Sequence, residues 1–437
     1  MKTITDLIKN VPIPKMVKIR EVFDSSHIPE EEIAQTIQNE LAREALGGQI
    51  KPGMKIAITC GSRGINHYSL MARAIVDFVK SKGAEPFIVA AMGSHGGATA
   101  EGQTQILTDY GITEENMGCP IKSSMETVQV GLSGVRKQPV YIDKYASEAD
   151  GIILFNRIKP HTSFRGKYES GLMKMMAIGL GKQHGAESIH HQSPGIMHEL
   201  VEEYGLTILQ NCPVLGGIAI IENAYDETYL IKGLTADEII TEEPKLRDLS
   251  YQTIAHLLFD KCDVLVVDKI GKNISGDGMD PNISGRFVQP KYCSGGIEAE
   301  KCVILDLTDE THGNAQGVGL AEVTTRRLFN KMKLEMTYPT GVTNTFLHLM
   351  KIPMIMDNDR EALQLALCCC PDAEDQNNIK MIRIPDTMHI EYIEISEGLL
   401  PQAQVIPPGR AAISFSSERI SYMITLSTKA SSPSSCC

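Results

Sequence analysis

The apolar residues of the chain fall into two recurring patterns. Short, nearly unbroken apolar runs occur as "KIAITCGS" (55–62), "EPFIVAAMGSHGG" (85–97) and "ADGIILFNRIK" (149–159). Their length and their glycine-bounded ends predict buried strands. Between them lie "YSLMARAIVDFVKSKG", "TAEGQTQILTDYG" and "SPGIMHELVEEYG", where apolar positions recur every three or four residues. That spacing predicts amphipathic helices, with Thr99 as an N-cap and Gly83 as a stop. The strand–helix rhythm implies a mostly parallel sheet with helices on both faces. A second unit follows: "CDVLVVDKIG" and "EKCVILDLTDETHG" predict strands, "GKNISGDGMDPNISGR" a polar loop, and "GLAEVTTRRLFNKM" a helix.

This pattern predicts an α/β protein of two domains, the second the smaller, with a site in the cleft between them. Pro244 within "TEEPKLRDLS" suggests the boundary. The expected division is residues 1–248 for a cofactor-binding and catalytic domain and 249–427 for a domain that closes the site. The low-complexity "STKASSPSSCC" predicts a disordered tail over 428–437.

Composition narrows the function. A net charge of −12 over 437 residues argues against a nucleic-acid or anionic-membrane surface, both of which demand a positive field. No apolar run reaches the length of a membrane span, and the first residues lack a signal-peptide core. The expectation is a cytoplasmic enzyme. The 11 cysteines form no CxxC pair, so they read as reduced thiols.

In a parallel sheet, ligands bind at the carboxyl ends of the strands. Three predicted strand ends carry "CGSRGINH", "GSHGG" and "NRIKPHTSFRG", which would bring Arg63, His95 and His161 to one edge. His95 lies between glycines, which let backbone approach a ligand, and imidazole titrates near neutral pH. Around His161, the cations Lys159, Arg165 and Lys167 favour a carboxylate or phosphate. Lys174, in "SGLMKMMAIGLG", is a lysine among methionines, where burial would depress its pKa and make it a nucleophile or attachment point. His184, His190, His191 and His198 offer metal-ligand groups, though their spacing matches no zinc-protease signature. There is neither a Walker A motif nor a GxSxG elbow, and "GLGKQHG" spaces its glycines as GxGxxxG, which is poor for a dinucleotide.

The ordered set "GSRG", "GSHGG", "KPH", "SGLMK" and "HH" resembles the nickel-pincer lactate racemase family of 2-hydroxy acid racemases and epimerases. The resemblance spans roughly residues 10 to 400. It implies a nickel pincer nucleotide covalently joined to Lys174. It also implies nickel ligation by His190, sixteen positions further on, with His191 and His184 as competing ligands. By the same resemblance His95 and His161 are the proton-transferring pair, while Ser62, Arg63 and Lys272 contact cofactor. Arg165, Asp280, Asn282, Arg286, His312 and Asn314 are the implied substrate side.

The chain departs from the lactate enzymes in its early "CGSRG" loop and in the thirteen steps from His161 to Lys174. The implied substrate is therefore a lactate-, malate- or gluconate-like 2-hydroxy acid. The implied partners are that substrate and the enzymes that build the cofactor. Without those enzymes the recombinant chain is expected to be empty, and a homo-oligomer is compatible with the family. The alternatives are a zinc-dependent hydrolase built on the 184–198 histidines, or a non-catalytic sugar-acid or cofactor-binding protein.

Overall fold

The computed structural model describes residues 3–61, 64–371, 373, 378–404 and 411–415. Ser62, Arg63 and the predicted disordered tail at 428–437 lie outside the described residues. The chain divides into two compact units, Ser25–Ile254 and a second made of Met1–Asp24 with Ala255–Cys437. The first 24 residues thus group with the C-terminal unit rather than with the N-terminal domain expected from the sequence. The reason is strand pairing: Met16–Phe23 runs antiparallel to Tyr392–Ser396 and to Ala411–Phe415, between them in that unit's sheet. The stretch around Pro244 is no linker either. It lies inside the helix Ala236–Thr253, which carries the proline in its interior and ends the unit.

The unit Ser25–Ile254 is built on a six-stranded sheet in the order Ile121–Lys122, Glu85–Ala90, Lys55–Cys60, Gly151–Arg157, Val214–Glu222, Thr228–Thr235. The first five strands are parallel and the last is antiparallel. Side chains alternate between faces, as pleating requires. Ile56, Ile58, Cys60, Ile153 and Phe155 pack with helices Glu30–Leu41 and Tyr68–Ser81. Ala57, Ile152, Leu154 and Val89 pack on the other face with Leu172, Met176 and the helix Met197–Asn211. Helices cover both faces as the sequence predicts, and Thr99 caps its helix by accepting from Gly102 N–H at 3.0 Å.

From Lys55–Cys60 the chain winds outward to Glu85–Ala90 and Ile121–Lys122. It then returns on the other side of the starting strand as Gly151–Arg157. The loops leaving the carboxyl ends of these strands therefore diverge, which opens a crevice there.

The other unit has an eight-stranded sheet, ordered Met354–Met356, Val323–Thr325, Glu298–Leu307, Lys261–Ile270, Met381–Ile384, Tyr392–Ser396, Met16–Phe23, Ala411–Phe415. Its first five strands are parallel and the rest antiparallel. The expected helix in "GLAEVTTRRLFNKM" carries a short strand, Val323–Thr325, and the helix is confined to Arg326–Lys331. Among the described residues no helix is long and apolar enough to cross a membrane.

Candidate active site

A cavity of about 390 Å³ opens at the carboxyl ends of the three central strands, lined wholly by residues of the unit Ser25–Ile254. His95, His161 and Lys174 all line it, with Lys159, Arg157 and Asn156 beside them. Two of the three strand ends singled out in the sequence thus meet where the parallel sheet predicts; the third contributes Gly61. The described lining includes cations and no carboxylate, which favours an anionic ligand.

Glycine lets backbone crowd together on the cavity wall. A Cβ at Gly61 would lie 2.2 Å from the Ala91 carbonyl oxygen, and one at Gly179 would lie 2.7 Å from the same atom. The end of Glu85–Ala90 is thereby pressed against the helical segment that follows Lys174, where Gly93 N–H donates to Gly179 O at 3.1 Å.

His161 sits in a loop held by charge. Its backbone N–H donates to Glu169 Oε2 at 2.7 Å, and its carbonyl accepts from Arg165. Glu169, 2% exposed, also accepts from the Tyr251 hydroxyl at 2.9 Å, and Arg165 lies over the Tyr251 ring. Burial pushes the Glu169 carboxyl up from its usual range. The imidazole stacks on Phe164 at 4.1 Å, and its Nδ1 accepts from Ser163 N–H at 3.0 Å. Arg165, expected on the substrate side, therefore braces the His161 loop and is not among the cavity-lining residues.

Lys174 ends the helical turn Leu172–Lys174, which continues as a π-helix over Met175–Leu180. Such π-segments are rare and recur at functional sites. Burial, with Lys159 nearby as a lesser cause, brings the Lys174 amine down to about 8. The turn is capped from a distance in sequence. Met173 N–H donates to Glu243 Oε2 at 3.0 Å, and this carboxyl, 1% exposed, is pushed up to about 8 by burial. Gly171 leaves room for that carboxyl: a Cβ there would lie 2.2 Å from Glu243 Oε1 and displace it. Asn156 Nδ2 donates to Gly171 O at 2.9 Å and ties this turn to the strand end.

Arg157 and Glu222 form a buried ion pair, 11% and 4% exposed. Arg157 also donates to Gly64 O at 2.9 Å, and Glu222 accepts from Asn66 N–H at 2.7 Å. The pair thus holds Gly64 and Asn66 against the end of the strand Gly151–Arg157.

The remaining expected residues are not among those lining the cavity. His184 is exposed and stacks on Tyr141 at 4.0 Å, while His191 is exposed just past the helix Lys182–His190. The His190 side chain lies outside what the structure describes. Among the described residues no three His, Cys, Asp or Glu groups gather as a metal site.

Lys272, Asp280, Asn282, Arg286, His312 and Asn314 belong to the other unit and are engaged within it. Lys272 Nζ donates to Gly276 O at 2.7 Å, and Asp280 caps Pro281–Ser284 while accepting from Asn282 N–H at 2.8 Å. Arg286 reaches both oxygens of Glu322, at 3.0 and 3.1 Å. His312 takes up a left-handed turn with φ 53°, and Asn314 donates to Met336 O at 2.9 Å.

Sequence reasoning overlooked Glu169, Glu222, Glu243 and the buried Lys182. Nothing in the local sequence sets any of them apart, and only tertiary pairing reveals its role.

An open α/β sheet with a cationic cavity at its switch point defines a ligand-binding domain of the doubly wound kind. Residues 8–199 match the family model described as the lactate racemase N-terminal domain. Among solved structures it is similar to the lactate racemase apoprotein from Thermoanaerobacterium thermosaccharolyticum. The two are 14% identical with a TM-score of 0.53, and the match covers 85% of this chain and 99% of that one. At that identity the likeness is one of fold. No curated relative matches.

Proposed function

We propose that this chain, an isomerase of the lactate racemase type, racemises or epimerises a 2-hydroxy acid with a nickel pincer nucleotide held on Lys174. The observation that carries the reading is the single cavity lined by His95, His161 and Lys174. Its volume of about 390 Å³ and its cationic wall suit an anionic nucleotide together with a small acid. An amine brought down to about 8 is a competent nucleophile near neutral pH, so the donor set fits covalent attachment.

A bound nickel pincer nucleotide would supply a reversible acceptor for the hydride on the substrate's C2. That chemistry is needed because a C–H beside a hydroxyl and a carboxylate is too weakly acidic for two simple bases.

The chain's own residues then manage charge and protons. Lys159 presents positive charge to the substrate carboxylate or the cofactor phosphate, while Arg157, paired with Glu222, shapes the wall beside it. His95 and His161 enter from different strand ends, so each can hold the hydroxyl proton of one stereoisomer. Arg165 and Glu169 keep the His161 loop in place, and Glu243 keeps the turn bearing Lys174 in place.

The test is intact mass and metal content of protein produced with the cofactor-building enzymes, followed by a screen of chiral 2-hydroxy acids. The expected result is nickel in a mass adduct on Lys174 and loss of optical purity for one acid class. An active protein with unmodified Lys174, or a fully loaded protein that racemises none of the acids, overturns the reading.

A further inference from the structure

Lys182 is the most unusual charge in the unit Ser25–Ile254. It is 0% exposed, and its backbone is left-handed with φ 54°. A left-handed backbone is strained for a non-glycine residue, and an unpaired buried ammonium costs more still. Glycine would fit this break between the π-helix Met175–Leu180 and the helix Lys182–His190 with less strain. The lysine side chain must therefore contribute something that offsets both penalties.

Its amine is enclosed by three acceptors from three elements. It donates to Ala90 O at the end of Glu85–Ala90 and to Gln103 Oε1 at 3.0 Å, and it lies 3.4 Å from Asp143 Oδ2. Gln103, also 0% exposed, passes the constraint on: its Nε2 donates to Gly93 O at 2.8 Å and to His95 O at 3.3 Å. Asp143 is fixed in turn, accepting from Ala146 N–H at 3.0 Å. The network thus connects the segment after Lys174 to the two backbone carbonyls that set the course of the His95 loop. Three glycines in that loop (Gly93, Gly96 and Gly97) have positive φ, so the loop has few conformational restraints of its own.

We infer that Lys182 and Gln103 are positioning residues that lock the His95 loop onto the helical segment bearing Lys174. They fix one imidazole relative to the attachment amine. The lock stands on hydrogen bonds alone; its catalytic consequence rests on the racemase reading above.

Hydrogen exchange on the cofactor-free protein tests the lock directly. In Lys182→Met and Gln103→Leu, amides of residues 93–98 are expected to exchange about tenfold faster or more. Those of the strand Gly151–Arg157 are expected to keep their protection. Unchanged exchange over 93–98 in a folded variant overturns the inference. Should Lys182→Met not fold, Gln103→Leu decides alone, since it leaves the Lys182–Asp143 pair intact.

In loaded enzyme, Gln103→Leu is expected to lower kcat about tenfold with KM within about twofold, as a misplaced acid–base group does. Thr104→Ala, on the exposed side of the same helix, should alter neither. A loosened loop with unchanged kcat overturns the positioning role. A wild-type enzyme that racemises nothing sinks the racemase reading and leaves the exchange result standing.

Discussion

His161 Nδ1 accepts a hydrogen bond from the backbone N–H of Ser163 at 3.0 Å, and this contact sets the tautomer of the ring. A nitrogen that accepts from an N–H carries no proton, so the neutral imidazole has its proton on Nε2. In this state Nε2 donates. To take a proton there, the ring must move its own proton to Nδ1, and the Ser163 N–H must turn away. Nitrogen-15 spectra of cofactor-free protein above the titration of His161 should show the Nε2–H form predominating. A predominant Nδ1–H form sinks this assignment, and with it the need for the 161–163 turn to rearrange during turnover.

Lys174 should react at lower pH than the exposed lysines of the cofactor-free chain. With its pKa brought down to about 8, it is half neutral at that pH; a lysine at 10.5 is neutral in roughly one molecule of 300. Timed modification with a small amine reagent, read by peptide mass spectrometry, should give a Lys174 rate that reaches half its plateau near pH 8. A half-rise above pH 10 contradicts the burial argument. Lys174→Met should raise stability near neutral pH by about 1–3 kcal/mol, because no charge is left to desolvate. On the proposed racemase reading the same variant would lose the attachment point, the usual exchange of stability for function at such sites.

The site residues that sequence revealed are those at the ends of apolar runs. "EPFIVAAMGSHGG" and "ADGIILFNRIKPH" show both a buried strand and where it stops, so His95 and His161 could be placed on one sheet edge. Lys174 stood out because an ammonium among methionines conflicts with its surroundings. The residues that hold these groups in place were silent. Glu243 sits in "TEEPKLRDLS", which reads as a polar linker because of Pro244, yet the helix continues through it and aims the carboxyl at Met173. The first 24 residues misled for a related reason: Met16–Phe23 is a strand, but nothing local says that its partner lies near residue 394. Local periodicity encodes elements, while long-range pairing depends on packing that no short window contains.

The Arg157–Glu222 pair should behave as a buried unit. Glu222→Ala leaves a guanidinium with little solvent, at an expected cost of about 3 kcal/mol. Replacing both by apolar residues, as Arg157→Met with Glu222→Leu, should recover most of that loss, because no charge is then stranded. A denaturant-melt double-mutant cycle measures this. Single variants each within about 0.5 kcal/mol of wild type would show the pair to be solvated and the loop from Gly61 to Asn66 to be held otherwise.

Glu243 predicts how stability depends on pH. Burial raises its carboxyl from about 4.5 to about 8, so the folded state holds a proton that the unfolded chain releases. Its stabilising contribution is therefore complete below about pH 4.5 and is lost as pH rises toward 8. Glu243→Gln keeps an acceptor for the Met173 N–H and cannot ionise. The stability difference between wild type and this variant should shift against wild type by a few kcal/mol between pH 5 and 8.5. Glu21, also raised to about 8 by burial, is common to both chains and cancels in the comparison. Urea midpoints at the two pH values give the result directly. A difference that stays constant with pH means that Glu243 is already ionised at pH 5, its charge carried by the backbone N–H groups of Leu172 and Met173.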